Sequence, residues 1–230
     1  MTDLPLPAVL VLLLAWGVVV GVDLVSVLQG LLARPLVAGA GAGWILGDAE
    51  AGLRVGAVLE LFALDVLPVG ASRYPEYGPA TVGGVVAASG VPWQEGTGVG
   101  VAVGLAVALL GGASLDWLRH ANARHLHRLA HEVDAGSPAA IRRLQWAGIG
   151  RDAARAALVT LVGLSLGAAA ATLQQSTVAP ALRLLTPVLV GAGIASALSG
   201  AQRMAGRGRR LAWLGVGLGL GIVTVLARGA

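Results

Sequence analysis

A glutamate, Glu60, stands in an almost wholly apolar segment whose glycines recur at every fourth position. Gly39, Gly43 and Gly47 are spaced by four, and Gly52, Gly56 and Glu60 repeat the interval. Residues four apart share one face of a helix. Each set therefore draws a smooth stripe along which two backbones approach closely, and Glu60 continues a stripe that faces protein rather than lipid. A carboxylate in apolar surroundings is costly unless it is paired or solvated. Something must offset that cost, and a polar substrate site is the simplest candidate.

The stripes sit in a chain suited to lipid. Of 230 residues, 35 are glycine, 56% are hydrophobic and 12% are charged, and the mean hydropathy is +0.79. Soluble domains are about a quarter charged, so this composition predicts an all-α integral membrane protein. Cysteine is absent, which removes disulfides, thiolate metal sites and a cysteine nucleophile. The chain also has no lysine. The glycine-rich Gly96-Thr97-Gly98-Val99-Gly100 therefore lacks the Gly-Lys-Ser/Thr ending of a phosphate loop, and ATP binding is rejected.

The basic pI does not point to nucleic acid here, because arginine placement in such a chain reports membrane orientation. Seven of the sixteen arginines fall within 118–156 and four within 203–210, so both stretches are predicted to be cytoplasmic. The apolar runs 156–171 and 184–201 cross twice between them, which returns the chain to the side it left. The N-terminus has Asp3, no basic leader region, and an apolar run to Val22; it reads as a first membrane helix rather than a cleaved signal.

Leu4–Val22 is long enough to span, since about 20 residues cover a core of about 30 Å. Leu24, Val27, Leu28, Leu31 and Leu32 lie at helical spacing in Asp23–Arg34, which predicts an amphipathic interface helix ended by Pro35. Leu36–Leu46 and Ala51–Leu64 are apolar but short, and the first reaches only about 16 Å as a helix. They predict a re-entrant hairpin, with Asp48 capping the second arm. A second short pair, Pro79–Ser89 and Thr97–Leu110, flanks the polar turn at 90–95. Two interrupted apolar pairs indicate a transporter whose substrate sits where helices break. The 118–156 segment should be helical and broken at Gly136-Ser137-Pro138, and a last helix should cover Leu211–Leu226. Residues 1–230 read as one membrane domain.

The residues Gln29, Arg34-Pro35-Leu36-Val37-Ala38-Gly39, Gly47-Asp48, Gly52-Leu53, Leu59-Glu60 and Pro68-Val69-Gly70-Ala71-Ser72 carry a resemblance. So does Pro75-Glu76, where the related pattern usually has Pro-Asp, and more weakly Ala135-Gly136, Ile141 and Arg155. The chain resembles enzyme IIC, the membrane-channel subunit of the mannose/fructose/sorbose family of bacterial phosphotransferase systems. Resemblance implies a bacterial inner-membrane protein that pairs with a second membrane subunit, IID, in a trimer of IIC–IID heterodimers. It implies that sugar is carried inward to a cytoplasmic IIB subunit, which passes on phosphate received from IIA. It also implies no phosphorylated residue and no cofactor on this subunit. The chain departs from the pattern at Asp65, where glycine is usual, and at Arg73-Tyr74 and Tyr77, which add bulk and charge.

Four residues are candidate substrate ligands. Glu60 either accepts hydrogen bonds from sugar hydroxyls or bonds to backbone amides of the hairpin. Gln29 offers its amide to sugar or forms the polar face of the interface helix. Ser72 and Glu76 lie in the loop after the hairpin, as site residues on the strength of the resemblance or as a solvated loop. Asp65 is expected to pair with Arg54 or Arg73, or to cap the hairpin end. His120, His125, His127 and His131 crowd one segment, and 127 and 131 have the spacing of a helical metal pair. With no third ligand and with Arg124 and Arg128 among them, they read instead as a solvated basic helix or a docking face for an anionic partner. A rival reading of the whole chain is a non-catalytic permease or a sensing relic of such a system.

Overall fold

The computed structural model describes residues 4–66, 73–176, 179–201, 212, 215–217, 219–223 and 227. Among the described residues up to Ala201, seven helices follow in order: α1 Leu6–Asp23, α2 Pro35–Leu46, α3 Ala49–Ala63, α4 Tyr77–Ala88, α5 Trp93–Asp134, α6 Pro138–Ser176 and α7 Ala179–Ala201. There is no strand among the described residues. Leu6–Asp23, Trp93–Asp134, Pro138–Gln174 and Leu182–Gly200 are long and apolar enough to cross a membrane. The chain is a multi-pass α-helical membrane protein.

The breaks follow local chemistry. Gly47 closes α2 at φ 72°, a left-handed conformation that favours glycine. Asp48 then caps α3 by accepting from the Ala51 amide at 3.0 Å. Gly136, at φ 73°, and Pro138 separate α5 from α6, and Ser137 Oγ accepts from the Ala140 amide.

α2 and α3 form the expected hairpin, and the two glycine stripes meet in it. A Cβ on Gly56 would lie 2.7 Å from the Pro35 carbonyl oxygen, and one on Gly43 would lie 2.9 Å from Gly52 Cα. Hydrophobic driving force is weak between helices in lipid, so close van der Waals packing of this kind carries the association. The same device recurs at the core helix α4, whose residues Gly78–Val85 are all buried. A Cβ on Gly84 would press on the Gly100 carbonyl of α5, and one on Gly83 on the backbone of Gly163 in α6. Gly21 of α1 packs on Ala156 of α6, and Trp16 Nε1 donates to the Ala38 carbonyl of α2 at 2.9 Å.

Asp48 does more than cap. Its other oxygen accepts from the Gly90 amide at 3.0 Å and from Ser89 Oγ at 3.3 Å, so one carboxylate ties the tips of both hairpins. Burial pushes this carboxyl up, but the Gly90 and Ala51 amides, the Ser89 hydroxyl and the nearby Arg54 outweigh it and hold Asp48 below the ordinary carboxylate value.

Two expectations are corrected. Residues 24–34 form turns and bends rather than an interface helix, and Pro35 opens α2 instead of ending a helix. Proline is well placed there, because the first helical position needs no intrahelical N–H bond. The second arm of the second pair is not short either. It belongs to α5, whose 42 residues rise about 63 Å, roughly twice a bilayer core. The break at 135–137 stands as expected. The 203–210 stretch lies outside the described residues; within Leu211–Leu226, residues 212, 215–217 and 219–223 are described and helical.

Candidate functional site

The site begins where α1 ends. Asp23 is 2% exposed, and its two oxygens accept from the Gly30 and Ala33 amides, both at 2.9 Å. These bonds fold residues 24–34 back over the helix end and replace the ladder that a helix would have supplied. The bend places Leu28 and Gln29 at φ 70° and 48°. Non-glycine residues at positive φ are uncommon, and such strain concentrates at functional sites. The Gln29 side chain donates to the Val25 carbonyl at 2.8 Å.

Arg34 leads directly into α2, and its guanidinium pairs with Glu60 in the last turn of α3. The second Glu60 oxygen accepts from the Leu36 amide at 3.2 Å. Glu60 is therefore partnered by an arginine and by a backbone amide of the hairpin, and its side chain is 18% exposed. The pairing offsets the cost anticipated for an acid in an apolar stripe. Arg34, Gln29 and Asp23 line a cavity of about 210 Å³ whose remaining wall includes Ala63, Tyr74, Pro75 and Tyr77. The geometry thus brings Gln29 and the partner of Glu60 to one cavity.

Glu76 lies beside that cavity and is not solvated. It is fully buried at the entry to α4, with its amide donating to the Ala108 carbonyl of α5 at 2.9 Å. Arg155 of α6 grips both of its carboxylate oxygens, one at 2.8 Å, in a bidentate pair. The same guanidinium donates to Asp152 Oδ1 at 2.7 and 3.0 Å and to Ser114 Oγ at 3.2 Å. Asp152 in turn accepts from Ser26 Oγ in the 24–34 loop. One buried arginine therefore gathers the two loops that line the cavity, together with α5 and α6. Spacing did not reveal this cluster. The available signal was Asp152 and Arg155, three apart at the start of an apolar run, but their partner lies 79 residues away.

Ser72 lies outside the described residues. Arg54 pairs with Glu50 at 2.7 Å, and Arg73 pairs with Asp116 at 2.8 Å. Asp65 packs against the close approach of Gly200 in α7. Within the histidine cluster, His125 meets the Arg151 guanidinium, which also donates to Asn122 at 2.6 Å. A further cavity of about 240 Å³ lies between the start of α5 and α7, but it is largely apolar. The polar groups of Thr186 there are already engaged, accepting from the Gly98 amide and donating to the Gln94 carbonyl, both at 2.8 Å. The cavity at Gln29 and Arg34 is the better match to a hydroxyl-rich ligand.

Known proteins bear on this arrangement. The chain is 31% identical over 154 residues to the fructose permease IIC component of Bacillus subtilis (strain 168), a match covering 66% of this chain and 56% of that protein. It thus spans little more than half the length of that relative. Two solved structures share the fold. One, described as a membrane protein, superposes with a TM-score of 0.70 at 21% identity over 98% of this chain and 95% of the other. The cryo-EM structure of the mannose transporter ManYZ in complex with microcin E492 (MceA) gives 0.61 at 22% identity, over 97% and 94%. The family described as the sorbose-specific IIC component of the phosphotransferase system matches residues 6–202. The chain is a member of that IIC family.

Proposed function

We propose that this chain is the sugar-translocating membrane subunit of a phosphoenolpyruvate-dependent phosphotransferase system, moving a hexose across the bacterial inner membrane. The observation that carries the reading is the cavity at the mouth of the α2–α3 hairpin, lined by Asp23, Gln29 and Arg34, the arginine that pairs with Glu60. An amide and a guanidinium in one small cavity, with the Glu60 carboxylate bonded to that guanidinium, offer donors and acceptors to several hydroxyls at once. Glu60 accepts from a sugar hydroxyl while Arg34 neutralises its charge, and Gln29 supplies an amide. Ser72 remains a proposed ligand through its motif. Glu76 has both oxygens on Arg155, so its role in binding is to hold the Tyr74–Tyr77 wall in place.

Membership of the IIC family and the fold shared with a mannose transporter support a partnership with a IID membrane subunit. In this reading the pair assembles as a trimer of heterodimers. Cytoplasmic IIA and IIB subunits supply the phosphate. The arginine-rich segment that continues α5 and α6 beyond the apolar core faces them from the cytoplasm.

Vesicles holding the chain with its IID subunit test this. With IIA, IIB, phosphoenolpyruvate and the soluble phosphocarrier proteins that pass its phosphate to IIA inside, they should accumulate phosphorylated hexose, while vesicles lacking only this chain should not. Equal accumulation in both would refute the assignment.

A further inference from the structure

We propose that Tyr74 decides which sugars the cavity admits, and that Arg119 is the residue that positions it. The inference rests on the cavity at Gln29 and Arg34 being the sugar site. Tyr74 lines that cavity. The Arg119 guanidinium lies over its ring, with Cζ 5.1 Å from the ring centroid, a cation–π contact that restricts the ring. Its neighbour Arg73 is paired to Asp116 at 2.8 Å. Its carbonyl packs so closely on Gly112 that a Cβ there would collide with it. Gly112, Asp116 and Arg119 are spaced by four and three, so they form one face of α5. A single helix face therefore fixes the aromatic wall at three points.

The chemistry indicates selection by size. A cavity of about 210 Å³ is below the roughly 300–1,000 Å³ usual for small-molecule sites. A flat ring suits the C–H face of a pyranose and leaves little room for a bulky substituent. An unsubstituted hexose is the class that fits, and an N-acetylated hexosamine is the class excluded. Arg73 and Tyr74 are also positions where the chain adds bulk and charge to the pattern it resembles.

The test uses the full chain assembled with its IID subunit, with mannose, fructose and N-acetylmannosamine as probes in competition binding. Tyr74→Ala should raise the preference for N-acetylmannosamine over mannose by roughly tenfold or more, the scale of small steric changes in a pocket. Tyr74→Phe keeps the ring and should keep the wild-type preference. Arg119→Gln, outside the cavity, should shift the preference in the same direction as Tyr74→Ala with an unchanged melting temperature. If Tyr74→Ala does not assemble, Tyr74→Leu carries the same expectation. A wild-type preference in the alanine or leucine variant would overturn the proposal, as would an equal loss for all three sugars. An unshifted Arg119→Gln would remove the positioning role. A wild-type complex that binds none of the probes would instead sink the sugar-site reading beneath it.

Discussion

Arg155 holds Glu76 by both carboxylate oxygens across 79 positions of sequence, and the two side chains are 3% and 0% exposed. Removing one partner of a buried pair leaves an uncompensated charge, typically at a cost of about 3–5 kcal/mol. Arg155→Gln should therefore lower the melting temperature of the purified protein sharply, since it strands both Glu76 and Asp152. Ser26→Ala removes only one peripheral hydrogen bond from the cluster and should cost about 1 kcal/mol. Thermal melts that rank the two variants equally would contradict this hub.

Glu60→Gln retains the shape of the side chain and removes its charge. Sugar affinity should fall by the worth of one charge-assisted hydrogen bond, about 1.5–3 kcal/mol. Folding should survive, because Arg34 is 41% exposed and is solvated when its partner becomes neutral. Calorimetry on the assembled complex reads the affinity, and gel filtration reads the assembly. Intact affinity, or a collapse of the complex, would make Glu60 a structural residue.

Gly56→Leu should disrupt the α2–α3 hairpin. The first atom of the new side chain would meet the Pro35 carbonyl oxygen at 2.7 Å, and backbone cannot swing aside as a side chain can. Overpacking costs about 1–3 kcal/mol where neighbours yield, so the loss should reach the upper end of that range. Normal yield and a wild-type melting curve for this variant would show that the stripes tolerate separation.

Asp48 predicts an acid-side dependence of stability. Its carboxyl sits below the ordinary value of 3.8 in the fold. Its contribution is therefore complete above that value and lost as pH falls through the lower folded value. Between about pH 5 and pH 3, wild type should lose more melting temperature than Asp48→Asn. Parallel curves for the two proteins would show that the bond between the hairpin tips adds nothing.

A cysteine introduced at exposed Arg128 should react with a membrane-impermeant thiol reagent in inside-out vesicles and not in intact cells, if the arginine-rich segment is cytoplasmic. The native chain has no cysteine to interfere. Labelling from outside would invert the topology.

Glycine spacing made the first hairpin legible, because a four-residue interval has one geometric meaning on a helix and the partner stripe lay close in sequence. The cap at Asp48 was legible for the same local reason. Residues 24–34 were not. Their leucines keep helical spacing, but Asp23 offers the Gly30 and Ala33 amides a competing partner, and the chain bends instead. The second hairpin was half legible. Its expected end at Leu110 is followed by Gly111 and Gly112, which interrupt nothing; they make room for Glu76 and Tyr74, as a Cβ on Gly111 would lie 2.8 Å from Glu76 Oε2. Of the candidate site, Gln29 and Glu60 were singled out by motif and by cost, and the fold brings Gln29 to the cavity and Glu60 to its arginine. Arg34 and, more weakly, Arg155 were read only as parts of a motif, and the partner of Arg155 was hidden because pairing between distant helices leaves no local periodicity.

The unbroken length of α5 has a mechanical consequence. Near one end, Gly98 is bonded to Thr186 of α7 beside the hairpin tip; further along, Gly112, Asp116 and Arg119 grip the Arg73–Tyr74 segment; the far end runs into the arginine-rich arm. A continuous helix is a stiff element that passes displacement along its axis instead of absorbing it. One rod therefore joins the arm to the wall of the Gln29–Arg34 cavity and to the opposite end of the bundle, so a substitution that bends α5 between Gly98 and Arg119 is expected to alter both places together.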